Sequence, residues 1–91
     1  MKSRQVNVEI TEYTESDGIW YEFSDAGSIS VRVTGKSVLI SANREGLETL
    51  ARIALTLAQE NVTTGSHVHL EEGFGPRVVE GSNPLIVERV A

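Results

Sequence analysis

The apolar positions of this chain follow two periods. From Asn43 to Glu60 they recur every three and four residues, with Leu47, Leu50, Ala51, Ala54, Leu57 and Ala58 on one side and Glu45, Glu48, Thr49, Arg52, Thr56 and Gln59 on the other. Ile53 and Leu55 flank the stripe and widen it. This pattern predicts one amphipathic helix. Asn43 is placed to cap its free N–H groups, Glu45 and Glu48 lie near the positive end of its dipole, and Thr63-Thr64-Gly65 supply the stop. Elsewhere the period is two, as in half-buried strands. Val6, Val8 and Ile10 alternate with Asn7, Glu9 and Thr11 over residues 6–13; Ile19, Tyr21 and Phe23 alternate with Trp20, Glu22 and Ser24; Ile29, Val31 and Val33 alternate with Ser28, Ser30 and Arg32. Turn residues at Ser16-Asp17-Gly18, Asp25-Ala26-Gly27 and Thr34-Gly35-Lys36-Ser37 separate these strands from each other and from a fourth at Val38-Leu39-Ile40. After the helix, His67 to Glu71 reads as a fifth strand with Val68 and Leu70 inward, and Leu85 to Val90 as the last, with a short strand at Val78-Val79 an option before it. The run Leu85-Ile86-Val87 leaves the phase of the last strand open.

These elements predict an α+β fold: a two-layer, mostly antiparallel sheet of about six strands in the order ββββαββ, with one long helix packed on one face. Leu50, Ala54, Leu57, Val31, Val33 and Val68 are the expected core. A chain of 91 residues has the size of a single domain, spanning residues 1–91.

Charge narrows the partners. Eight Lys and Arg against thirteen Asp and Glu give a net charge of −5, which repels a phosphate backbone and suits a basic protein partner. Nucleic acid is therefore not expected as a ligand. The chain has no cysteine, which removes disulfides and thiolate metal sites. The opening Met1-Lys2-Ser3-Arg4-Gln5 leads into no apolar export segment, and no apolar run approaches the roughly 18 residues needed to span a bilayer. A cytoplasmic protein without membrane association is the expectation.

Few residues are arranged for chemistry. Gly35-Lys36-Ser37 ends like a phosphate-binding loop, but Ser30 stands where that loop needs a glycine, and the segment opens a strand rather than a helix. Ser66 and His67 are adjacent, so on a strand their side chains diverge and cannot act as nucleophile and base. No catalytic residues and no cofactor are expected. His67, His69 and Glu71 sit at spacing two on one strand face, with neighbours ~7 Å apart at the backbone. They read as a solvent or interface face, and as metal ligands in an alternative reading that needs at least one more fixed ligand. Trp20 falls on a polar strand face, where a large aromatic either covers a sheet edge or anchors a partner.

The run Ser41-Ala42-Asn43-Arg44-Glu45-Gly46-Leu47, the helix through Leu50-Ala51 and Leu57-Ala58, and then Gly65-Ser66-His67-Val68-His69-Leu70-Glu71 resemble immunity protein family 32 of bacterial polymorphic toxin systems. Glu80-Gly81-Ser82 and Leu85-Ile86-Val87-Glu88 resemble that family's ending, so the likeness covers about the C-terminal half. The resemblance implies a small cytosolic protein that binds a toxin domain and blocks it without catalysis. With the helix on one face of the sheet, Trp20, Glu22, Arg32, His67, His69 and Glu71 are expected on the other, as the partner-binding surface. The helix's polar side, with Glu45, Glu48 and Arg52, is the competing surface. A homodimer paired through an exposed sheet edge or through the Trp20 face is a further reading.

Overall fold

The computed structural model describes residues 1–73 and 75–91. Its elements are β1 (Ile29–Thr34), β2 (Ser37–Ala42), α1 (Arg44–Leu57), β3 (His67–Leu70) and β4 (Leu85–Glu88). The class is α+β as expected, but the sheet is not. In place of one sheet of about six strands, the described residues form two antiparallel pairs, β1 with β2 and β3 with β4, in the order ββαββ.

The hairpin forms where turn chemistry calls for it. Pairing of Thr34 with Ser37 leaves only Gly35 and Lys36 in the loop, and Gly35 takes the positive φ of 58° that such a tight loop needs at its first position. On the far side of β1, residues 77–83 lie alongside it, parallel at Val78 and then turning at Glu80-Gly81. The Ile29 N–H donates to the Arg77 carbonyl at 3.0 Å, the Val79 N–H to the Ile29 carbonyl at 2.8 Å and the Asn83 N–H to the Val31 carbonyl at 2.8 Å. The sequence reading of a short strand at Val78-Val79 corresponds to this single parallel pairing of Val78 with Ile29.

The first two expected strands, residues 6–13 and 19–23, are not strands. Alternation supplies a face, but a strand also needs a neighbouring ladder for its backbone groups. Residues 11–13 find theirs in side chains instead. Gln59 accepts from the Tyr13 N–H at 2.9 Å and donates to the Thr11 carbonyl at 3.0 Å, so one amide does the work of a partner strand. Asn61 donates to the Tyr13 carbonyl at 3.3 Å, and the buried Tyr13 hydroxyl meets Thr63 Oγ1 at 3.0 Å. Ile19 and Tyr21 pack against the core without a ladder. Burial there raises the Tyr21 phenol above its ordinary pKa.

The helix begins at its expected cap. Asn43 Oδ1 accepts from the Gly46 N–H at 2.9 Å and from the Ser28 N–H at 3.0 Å, while Nδ2 donates to the Ala26 carbonyl at 2.9 Å. One side chain thus starts the helix and ties it to the chain entering β1. The other end comes earlier than the sequence reading placed it, at Leu57 rather than Glu60. No basic residue stands in the last turn of α1. Arg89, just past β4, supplies the missing cation: its Nη1 donates to the carbonyls of Leu57 and Gln59 at 2.7 and 2.8 Å. Arg89→Ala should cost about 1 to 2 kcal/mol, because both carbonyls lose a charged donor at the negative end of the dipole. Urea unfolding measures this, and a change within a few tenths would mean that water satisfies the helix end equally well.

The buried face of α1 is rotated from the expected one. Gly46, Thr49, Ile53, Thr56 and Leu57 are buried, whereas Leu47 is 54% exposed and Ala54 and Ala58 face solvent. The core joins Ile53 and Leu57 to Val68, Leu70 and Val78, with Leu50, Leu85 and Val87 packed against it. Of the expected core, Leu57, Val31 and Val68 are buried and Leu50 is partly buried; Ala54 and Val33 are not. Two threonines are tolerated inside because each hydroxyl donates to the carbonyl four residues back: Thr49 to Glu45 at 3.0 Å and Thr56 to Arg52 at 2.6 Å.

Candidate partner-binding surface

The β3–β4 pair has one dry and one wet face. Val68 pairs with Val87 and Leu70 with Leu85, and these four pack inward; His67 pairs with Glu88 and His69 with Ile86, and these four face solvent. The phase of the last strand, open in the sequence, is therefore Leu85 and Val87 in, Ile86 and Glu88 out. The two imidazoles meet edge to face with ring centroids 4.9 Å apart. His67 Nδ1 lies 3.0 Å from the Gly65 carbonyl, which holds its ring over the strand when that nitrogen carries the proton. An exposed aliphatic side chain beside two imidazoles in edge-to-face contact and a carboxylate offers apolar contact and hydrogen bonding in one small patch. Among the described residues no group of three or more His, Asp or Glu side chains could hold a metal ion. His67 and His69 are thus a histidine pair, and Glu71 does not complete a ligand set with them.

The other expected surface residues lie on different parts of the fold. Trp20 is not on a strand; it follows the Thr14–Gly18 turn, 63% exposed, and its indole N–H donates to the Asp17 carbonyl at 2.7 Å. Glu22 lines a cleft against the helix, and Arg32 stands on β1 opposite Leu39. The single open sheet face that was to carry all six residues does not form, because the sheet is split into two pairs and the Trp20–Glu22 stretch has no ladder.

That cleft, of about 670 Å³, was not legible in the sequence. Val6 and Val8 form one wall, Leu47 and Ala51 the other, and Glu9, Glu22, Glu48, Arg44 and Arg52 surround it. Arg44 and Glu48 approach to 4.0 Å, an exposed pair that contributes little to stability. Two members of the apolar helical stripe, Leu47 and Ala51, thus line a surface groove, while Leu50 and Leu57 of the same stripe pack in the core. Ile86 and Glu88 were missed for a different reason. Their signal was present in the spacing of two between a polar Glu88 and position 86, but three consecutive apolar residues obscured it.

The arrangement is that of a small α+β protein whose distinctive side chains stand on its surface. The chain belongs to the immunity protein 32 family: the family's sequence model matches residues 37–90, from the first residue of β2 to beyond β4. No curated protein and no solved structure matched the chain. The matched region includes the Asn43 cap, Gly46 and the histidine pair; Trp20, Glu22 and Arg32 precede it. An immunity family implies a protein partner such as a toxin. No helix among the described residues is long and apolar enough to cross a membrane.

Proposed function

We propose that this protein is a non-catalytic, cytoplasmic immunity protein that binds a bacterial toxin domain and blocks it. The observation that carries the reading is the family match over residues 37–90. The solvent face of β3–β4 supports it with a surface that the core does not require: His67, His69, Ile86 and Glu88 project outward while the core residues point the other way. His67 and His69 form the centre of the contact, Trp20 is a second aromatic anchor, and Glu22, Arg32 and Glu71 are charged contacts. A net charge of −5 favours a basic toxin, such as a nuclease, through faster encounter.

Co-expression with the toxin encoded beside the gene tests this. The two proteins should co-purify, and Trp20→Ala combined with His69→Ala should weaken binding by at least about 30-fold, as for the loss of one interface hot spot. Melting should stay unchanged, since both side chains are exposed. If the double variant still protects cells at wild-type expression, the contact lies elsewhere, with the cleft between Val6-Val8 and Leu47-Ala51 as the next surface. If no neighbouring toxin is captured, the immunity reading fails.

A further inference from the structure

The outer edge of β2 carries unused backbone groups. Ile29 and Val31 turn their N–H and C=O groups toward residues 77–83, so it is Ser30, Arg32 and Thr34 that bond to β2, at Ser41, Leu39 and Ser37. The Asn43 N–H donating to the Ser28 carbonyl at 3.2 Å keeps the same phase. It follows that Val38, Ile40 and Ala42 direct their N–H and C=O groups away from β1. No described residue pairs with them, since the sheet ends at β2. The side chains there are as uncommitted as the backbone: Val33 and Val38 are 58% and 60% exposed, and Leu39 and Ile40 are exposed as well. Natural edges are commonly protected by a proline, a bulge or an inward charge. Ser37–Ala42 contains no proline or charged residue.

We propose that this edge is covered by β2 of a second copy, antiparallel about a two-fold axis at Leu39, giving a four-stranded sheet β1-β2-β2-β1. A two-fold interface needs a self-complementary patch, and Ser37-Val38-Leu39-Ile40-Ser41 reads the same in chemical type in both directions. About Leu39, serine opposes serine, Val38 opposes Ile40 and Leu39 opposes itself. The pairs that exchange hydrogen bonds are then Val38 with Ile40 of the partner copy and the reverse, which are the residues whose backbone groups point outward. Centring on Ile40 instead sets Leu39 against Ser41 and Val38 against Ala42, a poorer match. Chains of net charge −5 repel each other, but this seam carries no charge, and the two Arg32 residues lie three strand spacings apart, about 14 Å. The exposed aliphatic groups fall short of the roughly 800 Å² per partner of a stable interface, so the dimer is weak, with a dissociation constant on the order of micromolar or above. This inference is independent of toxin binding, because it concerns the purified chain alone.

The absence of native cysteine makes the register testable. At the two-fold axis the Leu39 Cα atoms come within about 4.5 Å, inside the range a disulfide spans, whereas the Ser41 residues of the two copies lie about 13 Å apart along the strands. Under mild oxidation at high concentration, Leu39→Cys should give a covalent dimer at least about tenfold faster than Ser41→Cys. Light scattering of the wild type across a dilution series should show reversible dimerisation, and Val38→Pro, which removes an outward N–H that β1 does not use, should abolish it with the circular dichroism spectrum retained. A wild type that stays monomeric up to millimolar concentration overturns the proposal. So does a dimer in which Leu39→Cys cross-links no faster than Ser41→Cys, or a β2 edge whose amides gain exchange protection only with a co-expressed toxin.

Discussion

Ile53→Ala is expected to cost about 2 to 5 kcal/mol, a large share of the 5 to 14 kcal/mol typical of a chain of this size. Ile53 is 1% exposed and stands where the helix meets Val68, Leu70 and Val78, so truncation leaves a cavity that elements on several sides would have to close. The informative comparison is with Leu47→Ala. Leu47 belongs to the most regular apolar stripe of the sequence, yet it lines the surface cleft, and its loss should cost less than about 1 kcal/mol. Chemical denaturation of the two variants reads the rotation of the helix directly. Equal costs, or a larger cost at Leu47, would mean that α1 presents its other stripe to the core.

Gly46→Ala is expected to destabilise by about 2 to 3 kcal/mol, against the trend for helices, where alanine is favoured over glycine by about 1 kcal/mol. A Cβ at Gly46 would be driven into the Ser28 carbonyl oxygen and would come within 3.0 Å of the Ala42 Cβ. The Ser28 carbonyl cannot readily give way, because it accepts from the Asn43 N–H and the neighbouring Ser28 N–H is held by Asn43 Oδ1. Relief therefore requires the first turn of α1 to lift from the strand entry. A shift of the urea midpoint to lower concentration, with an unchanged slope, is the expected reading. Stabilisation would show that the helix start is not seated against Ser28.

Asn43 and Gly46 both lie within the stretch that matches the family. In Asn43-Arg44-Glu45-Gly46, Asn43 caps the helix and binds residues 26–28, and Gly46 allows the helix to approach that same segment. Both are structural roles. Arg44, between them, is exposed, and its side chain stands at the cleft with Glu48. On β3, which also lies in the matched stretch, the division is different. In His67-Val68-His69-Leu70 the apolar residues fill the core and the histidines face solvent.

Much of the fold was legible along the chain. The hairpin from Ile29 to Ala42, the existence and start of the helix, and the inward Val68 and Leu70 all appear as read. Each rests on interactions between near neighbours in sequence: a glycine able to take positive φ in a two-residue loop, an asparagine within reach of N–H groups three residues on, and an alternation that follows from strand geometry.

Long-range competition settled the remainder. The helical stretch through Ala58 carries two apolar stripes roughly a quarter of a turn apart, one of Leu47, Ala51, Ala54 and Ala58, the other of Leu50, Ile53 and Leu57. The first is cleaner in pattern, but burial free energy scales with area, and Ile53 and Leu57 bury far more than three alanines do. The core took the larger side chains and accepted Thr49 and Thr56 with them, since their hydroxyls could be satisfied within the helix. The same holds for residues 6–13 and 19–23, whose alternation is real but whose backbone groups found Gln59, Asn61 or no ladder in place of a strand. A chain can encode the face of a strand in its own residues, but the strand beside it comes from elsewhere in the fold, and pairing needs both.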